Sequence, residues 1–392
     1  MEKIKITENV KYIGVNDKEI RLFESQYVVP NGMSYNSYLI KGEKNIVMDT
    51  VDKRASQEWL KNLEEALEGE KVDYLVISHL EPDHSYNIKV LADKYPEMKI
   101  IGNAMTFKLL PQFFEIENIE ERKIVVSEGQ EIKIGNNTLQ FFMAPMVHWP
   151  EVMVTYLKEE KILFTADGFG KFGTIDTDED WACEARRYYF GIVGKYGAQV
   201  QALLKKAATL DIAIICPLHG PILKEDLEYY IQKYAIWSSY TPEDKGILIA
   251  YSSIHGNTEN AVAELETIVK SKTNQKVVVS NLVEEDMAEV MEDAFRYDKV
   301  ILASSSYNAG VFPPMEYFLR GLLERNYQNR KIAIVENGTW APSAAKTMKE
   351  IIEQMKNIKV CDTIVTIKTT MSEENKREME KMVDELLQGE NG

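Results

Sequence analysis

The chain of 392 residues exceeds what one ordinary hydrophobic core accommodates and predicts two domains. A content of 45% hydrophobic and 28% charged residues is that of a globular protein in water, and no apolar run approaches the ~20 residues of a bilayer span, so no membrane partner is expected. The net charge of −16 argues against a nucleic-acid partner and for basic protein patches or small molecules.

The opening MEKIKITENV lacks an apolar core and gives no reason to invoke export. Cys183, Cys216 and Cys361 lie far apart without a CxxC pair, which fits reduced thiols in a cytoplasm. The same spacing excludes an in-chain rubredoxin-type iron centre or a cysteine-held iron–sulfur cluster. Taken in chain order, VKYIGV, YVVPNG, NSYLIKG and NIVMDTV read as short strands. A helix is predicted at about 55–68, followed by the apolar strand VDYLVIS. MKIIGN, KIVVSEG, NTLQFFMAP, VMVTYL and KILFTAD continue the strands, with helices expected at about 86–95, 105–114 and 179–210. Strands in runs with helices between them predict layered sheets with helices outside. DIAIICPLHGP (211–221) is a further buried strand, about 224–239 reads as helix, and the polar SSYTPEDKG is a connector. The expected division is therefore 1–243 and 244–392.

From Gly246 the pattern changes. GILIAYSS, KVVVSNL, KVILASSS, RKIAIVEN and CDTIVTIK are five apolar strands. They alternate with helical stretches at about 257–271, 284–292, 313–325, 342–356 and 372–388, which predicts a doubly wound parallel sheet.

Four of the five histidines fall in the first of these domains. His79, His148 and His219 each follow the end of an apolar strand, Asp167 caps KILFTA, and His84 shares a loop with His79 in SHLEPDHS. Strand ends gather on one edge of a sheet, so these distant residues can converge on a metal. A lone histidine is most often a core residue; HxExDH with three further strand-end donors is not explained that way. Glu81 stands where zinc enzymes with an HxHxDH loop place an imidazole, and a hard anionic oxygen favours iron over zinc.

In YSSIHGNTEN (251–260) a strand runs into a polar loop and a helix start. It carries neither GxGxxG nor a Walker lysine. Ser252, Ser253, Asn257 and Thr258 offer hydrogen bonds to a phosphate, and the backbone around Ile254, His255 and Gly256 adds N–H groups at the helix N-terminus. Two later strand ends, Ser304-Ser305-Ser306-Tyr307-Asn308-Ala309-Gly310 and Asn337-Gly338-Thr339-Trp340, supply glycines for close approach and two aromatics. All three loops lie where ligands bind in this topology, and Trp340 is the candidate for packing on a planar ring.

HLEPDH (79–84), MVHWP (146–150), TADGFG (165–170) and PLHGP (217–221), with LFESQYVVPNGMSYNSYLI before them, resemble the motifs of A-type flavodiiron proteins. The likeness extends over essentially the whole chain. It implies an α/β architecture: an N-terminal metallo-β-lactamase-like αββα sandwich followed by a C-terminal flavodoxin-like domain. It also implies two non-haem irons and FMN. By that resemblance His79, Glu81 and His148 hold one iron, Asp83, His84 and His219 the other, and Asp167 bridges them; His84 is the ligand that varies within the family. The implied activity is reduction of O2 to water, of NO to N2O, or both. Electrons would come from an external rubredoxin-like donor, in a head-to-tail homodimer or a dimer of dimers, and no acid or base residue is assigned beyond the metal site. Tyr27 and Trp149 are candidate pocket residues. The competing readings are a zinc hydrolase with a flavodoxin appendage and a non-catalytic electron carrier or gas sensor.

Overall fold

The computed structural model describes residues 4–388. Residues 1–3, the start of MEKIKITENV, and 389–392 lie outside the described residues. Two compact units result: the chain up to Tyr189 with Tyr196–Ala235, and Phe190–Lys195 with the chain from Ile236.

The first unit is built on two large sheets. One orders its strands Val10–Tyr12, Tyr38–Ile40, Ile46–Met48, Tyr74–Val76, Lys99–Asn103, Lys123–Val126. The other orders Glu131–Ile134, Asn137–Met143, Met153–Leu157, Ile162–Phe164, Ile214–Cys216. Alternating residues of each sheet face the other, so that Tyr38, Ile40, Met48, Val76 and Ile101 share one core with Leu139, Phe141, Met153 and Phe164. Helix Ser56–Leu67 buries Trp59, Leu63 and Leu67, spaced four apart on a single stripe.

Strand direction decides where the loops go. Asn137–Met143 and Ile162–Phe164 are both antiparallel to Met153–Leu157, and Ile214–Cys216 is parallel to Ile162–Phe164. Three strands of the second sheet therefore end on the same edge. The Met153 amide donates to the Ser78 carbonyl at 3.1 Å, which ties that edge to the loop leaving Tyr74–Val76.

In the second unit five parallel strands run in the order Lys276–Asn281, Asp244–Ser252, Tyr297–Tyr307, Lys331–Asn337, Lys359–Ile367. The unit's second strand, Lys276–Asn281, takes the edge and its first, Asp244–Ser252, sits inside, the flavodoxin-like order. Helices Asn257–Lys272 and Glu373–Leu387 pack on one face through Val262, Leu265, Val269, Met379, Met382 and Leu386.

One element departs from expectation. The stretch at about 179–210 predicts a continuous helix, but helix Trp181–Tyr188 passes through a π turn at Tyr189–Val193 and a 3-10 turn at Gly194–Tyr196 before helix Gly197–Ala207. Gly191, Gly194 and Gly197 weaken the helical ladder there. Tertiary bonds within the second unit then hold the break: Arg325 Nε donates to the Phe190 carbonyl at 2.9 Å, the Tyr240 hydroxyl to Gly194 at 2.8 Å, and Phe190 stacks on Phe295 at 3.9 Å. Among the described residues no helix is long and apolar enough to cross a membrane.

Candidate metal centre and flavin cavity

All seven histidine and carboxylate positions singled out in the first unit come together in two adjacent clusters: His79, Glu81, His148 and Asp167, and Asp83, His84 and His219. The loop after Tyr74–Val76 supplies four of them, with His84 placed by the short helix Pro82–Ser85. His148 and Asp167 arrive behind the left-handed residues Met146 and Ala166, and His219 precedes Gly220 at φ +77°. Gly220 has to be glycine on two counts, since a Cβ there would lie 2.7 Å from Lys171 Cγ.

Asp167 joins the clusters. Its Oδ2 lies 3.2 Å from His148 Nε2 and 3.5 Å from His79 Nε2, while its Oδ1 lies 3.2 Å from His84 Nε2 and 3.8 Å from His219 Nε2. Glu81 Oε2 sits 3.0 Å from His148 Nε2 and 3.3 Å from His79 Nε2, and Asp83 Oδ2 is 3.2 Å from the Nε2 atoms of both His84 and His219. His84 therefore turns its Nε2 into the second cluster.

Behind these groups stands a supporting layer that the motifs alone did not reveal. Glu151, fully buried, has Oε1 2.8 Å from His79 Nδ1, and the same oxygen accepts from the Leu80 amide at 2.9 Å. The Ser34 carbonyl lies 2.7 Å from His219 Nδ1. Asp49 accepts from the Ser78 amide at 2.7 Å and fixes the start of the loop. Glu151 follows His148-Trp149-Pro150 directly, and that proximity was the available signal. Asp49 ends the NIVMD strand and carried no signal beyond its position.

The electrostatics fit a cationic occupant. Burial, with the Glu81 and Asp167 charges, pushes Asp83 up to about 7 against the pull of His84. Burial would lower His79, but Glu151 and Glu81 hold it well above an ordinary imidazole, and His148 is held at about 9 by Asp167 and Glu81 against its own burial. Burial would raise Glu81 and Asp167, yet the imidazoles hold both low. Both oxygens of Asp83 and both of Asp167 are buried without an aligned hydrogen-bond donor. Buried carboxylate oxygens lacking partners are costly unless a cation takes their place. A donor set of four imidazoles and three carboxylates, with one carboxylate shared, matches two ions of intermediate-to-hard character.

A hollow of about 330 Å³ opens on the centre, with Glu24, Tyr35, Arg54, Glu81 and Asp83 in its wall. Burial and the Glu81 charge push Glu24 up to about 7. Of the two candidate pocket aromatics, Trp149 has its ring 5.1 Å from that of His79, edge to face. Tyr27 is buried and packs on Phe172 at 5.4 Å. Tyr188, not anticipated, lies 5.6 Å from the His219 ring.

In the second unit a cavity of about 680 Å³ opens at the carboxyl ends of the strands. Ser253, Ile254, His255, Asn257, Thr258, Ser305, Ser306, Tyr307, Asn308, Ala309, Asn337, Gly338, Thr339 and Trp340 line it, as the sequence predicts. Ser252 and Ser304 lie fully buried, their hydroxyls bonded to each other at 2.9 Å. Gly256, at φ +86°, caps helix Asn257–Lys272 without any side-chain acceptor, which leaves the first-turn amides for an anion. Gly310 forms the far side of the turn at Asn308-Ala309. Ala341, Pro342, Ser343 and Thr369 also line the cavity without having been singled out; Thr369 follows the fifth strand, whose end belongs to the same edge. Trp340 is 92% exposed, and Tyr307 and Ile254 are exposed beside it. An uncapped helix start next to exposed aromatics fits a phosphate joined to a planar apolar ring.

A family model described as ODP family beta lactamase matches residues 33–220. An anaerobic nitric oxide reductase flavorubredoxin of Vibrio vulnificus is 30% identical over 349 residues, 86% of this chain and 70% of that protein. The flavo-diiron protein FprA2 of Clostridium acetobutylicum is 29% identical over 372 residues, 92% of each chain. In structure, the rubredoxin oxygen:oxidoreductase of Desulfovibrio gigas superposes with a TM-score of 0.91 over 98% of each chain at 24% identity, a likeness of fold.

Proposed function

The chain belongs to the A-type flavodiiron proteins, and from that premise we propose an oxidoreductase that reduces O2 to water, NO to N2O, or both. The observation that carries this reading is the pair of histidine–carboxylate clusters sharing Asp167, with Glu81 in a position that zinc hydrolases of this fold fill with histidine. Two irons in those clusters and FMN in the second unit supply, when bound, the electrons for the reduction, drawn from an external donor such as a rubredoxin.

His79, Glu81 and His148 are assigned to one metal, Asp83, His84 and His219 to its neighbour, with Asp167 between them. The protein's own part is to hold this set in place. Glu151 fixes the His79 ring through Nδ1, and the Ser34 carbonyl does the same for His219, so each presents Nε2 to the centre. FMN is assigned to the cavity whose phosphate end is Ser253, Asn257 and Thr258 at the helix start and whose ring end is Tyr307 and Trp340. The functional division is proposed at 243/244, at the head of strand Asp244–Ser252. A head-to-tail homo-oligomer in a cytoplasmic setting completes the proposal.

The test loads the full chain with iron and FMN, reduces it anaerobically, and measures O2 consumption and N2O formation in parallel. Catalytic turnover of one or both gases is expected. Loaded protein that turns over neither sinks the reading, as does bound zinc accompanied by ester hydrolysis.

A further inference from the structure

At the opposite end of the second unit's sheet, where the strands begin, lies a hollow of about 500 Å³. Lys245, Lys299, Arg330, Lys331 and Lys359 line it, and among the described residues Asp298 is the one carboxylate set against them. This concentration of positive charge occurs in a chain whose net charge is −16. Lys299 is the register partner of Lys331, and Lys331 of Lys359, so three lysines stand side by side on adjacent strands. Like charges in that arrangement repel, and an anion between them removes the repulsion.

Some of this charge is already engaged. Lys331 Nζ donates to carbonyls of Glu385 and Gln388 at the end of helix Glu373–Leu387, and Lys299 Nζ donates to Asp298 at 2.7 Å. Lys245 and Lys359 are exposed, with no ion pair to any described residue. Arg330 is 2% exposed and uses its Nη atoms on the carbonyls of Tyr240, Gln328 and Phe295. Its Nε is buried with no hydrogen-bond partner among the described residues. A buried guanidinium N–H left unsatisfied on the wall of a basic hollow is a donor lacking its acceptor.

We propose that this hollow binds a compact polyphosphate anion. Side-chain amides of Asn329 and Asn357 add polar contacts, and among the described residues no aromatic side chain lines the hollow. There is thus nothing to stack on a nucleobase, in contrast with the flavin cavity and its Tyr307 and Trp340. Charge and hydrogen bonding carry the recognition, and the phosphate groups rather than an attached base decide affinity.

The experiment titrates inorganic pyrophosphate into the FMN-loaded full chain at low ionic strength by calorimetry, so that the flavin phosphate site is already filled. One site per chain is expected. Lys245→Gln and Lys359→Gln, both at exposed positions, each weaken it about tenfold, as expected for losing one charge-assisted hydrogen bond. FMN content stays unchanged in both variants, and adenosine diphosphate binds no more tightly than pyrophosphate. The proposal is overturned if no binding is seen at millimolar pyrophosphate, or if both variants bind like the parent. It is also overturned if binding appears only after residues 389–392 are removed, which would assign the hollow to the chain's own tail.

Discussion

Glu151 shows how much of a metal site lies behind its ligands. One of its oxygens serves two masters, the His79 ring at 2.8 Å and the Leu80 amide at 2.9 Å, and its other oxygen is buried without a partner. Replacing Glu151 with Gln keeps the shape but exchanges a full charge for a neutral amide, so the His79 tautomer and its basicity both lose support. We expect Glu151→Gln to lower iron affinity by about 10- to 100-fold, the usual loss when such a partner is removed. Chelator competition on the full chain, with FMN content as the internal control, reads this out. Unchanged iron retention would show that Glu151 merely fills space. His84 differs instructively: its Nε2 faces Asp83 and Asp167, but its Nδ1 is buried with no partner. Among the described residues nothing behind the ring fixes it, a physical counterpart to its being the ligand that the resemblance marks as variable. The facing donors themselves were legible because each lies in a loop that leaves an apolar strand. Glu151 and Asp49 were not, since a second layer of support has no spacing rule of its own.

Among the elements, the loops at strand ends do the recognising, and their glycines set how tightly they fold. A Cβ at Gly338 would lie 2.8 Å from Pro342 Cα and 2.9 Å from Ser306 Oγ. Ser306 Oγ in turn accepts from the Ser343 amide at 2.9 Å, joining two of the three loops. Gly338→Ala therefore forces the Trp340 loop away from the Ser306 loop, an overpacking cost of about 1–3 kcal/mol. Because the strain falls on the cavity wall, FMN binding to the apoprotein should weaken by about tenfold or more, measured by flavin fluorescence quenching. Iron content should stay unchanged. If FMN affinity is untouched, the loop is not part of the flavin site. These three loops were readable because a βαβ alternation fixes which strand ends carry ligands. The broken helix between Trp181 and Ala207 was not readable: its apolar pattern continues through Gly191 and Gly194, and what breaks it is a set of bonds from Arg325, Tyr240 and Phe295, more than forty residues away in sequence.

At the scale of the molecule, the chemistry is divided between two units that each have their own core. The histidine–carboxylate clusters belong wholly to the first and the flavin cavity wholly to the second. A chain with Asp167→Ala keeps an intact flavin unit but loses the shared ligand, and a chain with Gly338→Ala plus Thr258→Val keeps the metal unit but loses flavin. Neither should turn over gas alone. Under the proposed head-to-tail pairing, each chain's flavin serves its partner's metals. A hybrid dimer of these two chains then retains one of its two routes, and about half the parental rate per dimer is expected. Co-expression with two different affinity tags isolates the hybrid, and its O2 or NO turnover is compared with that of each variant homodimer. An inactive hybrid, with iron and FMN both present at half occupancy, would place electron transfer within one chain and remove the reason for the head-to-tail arrangement.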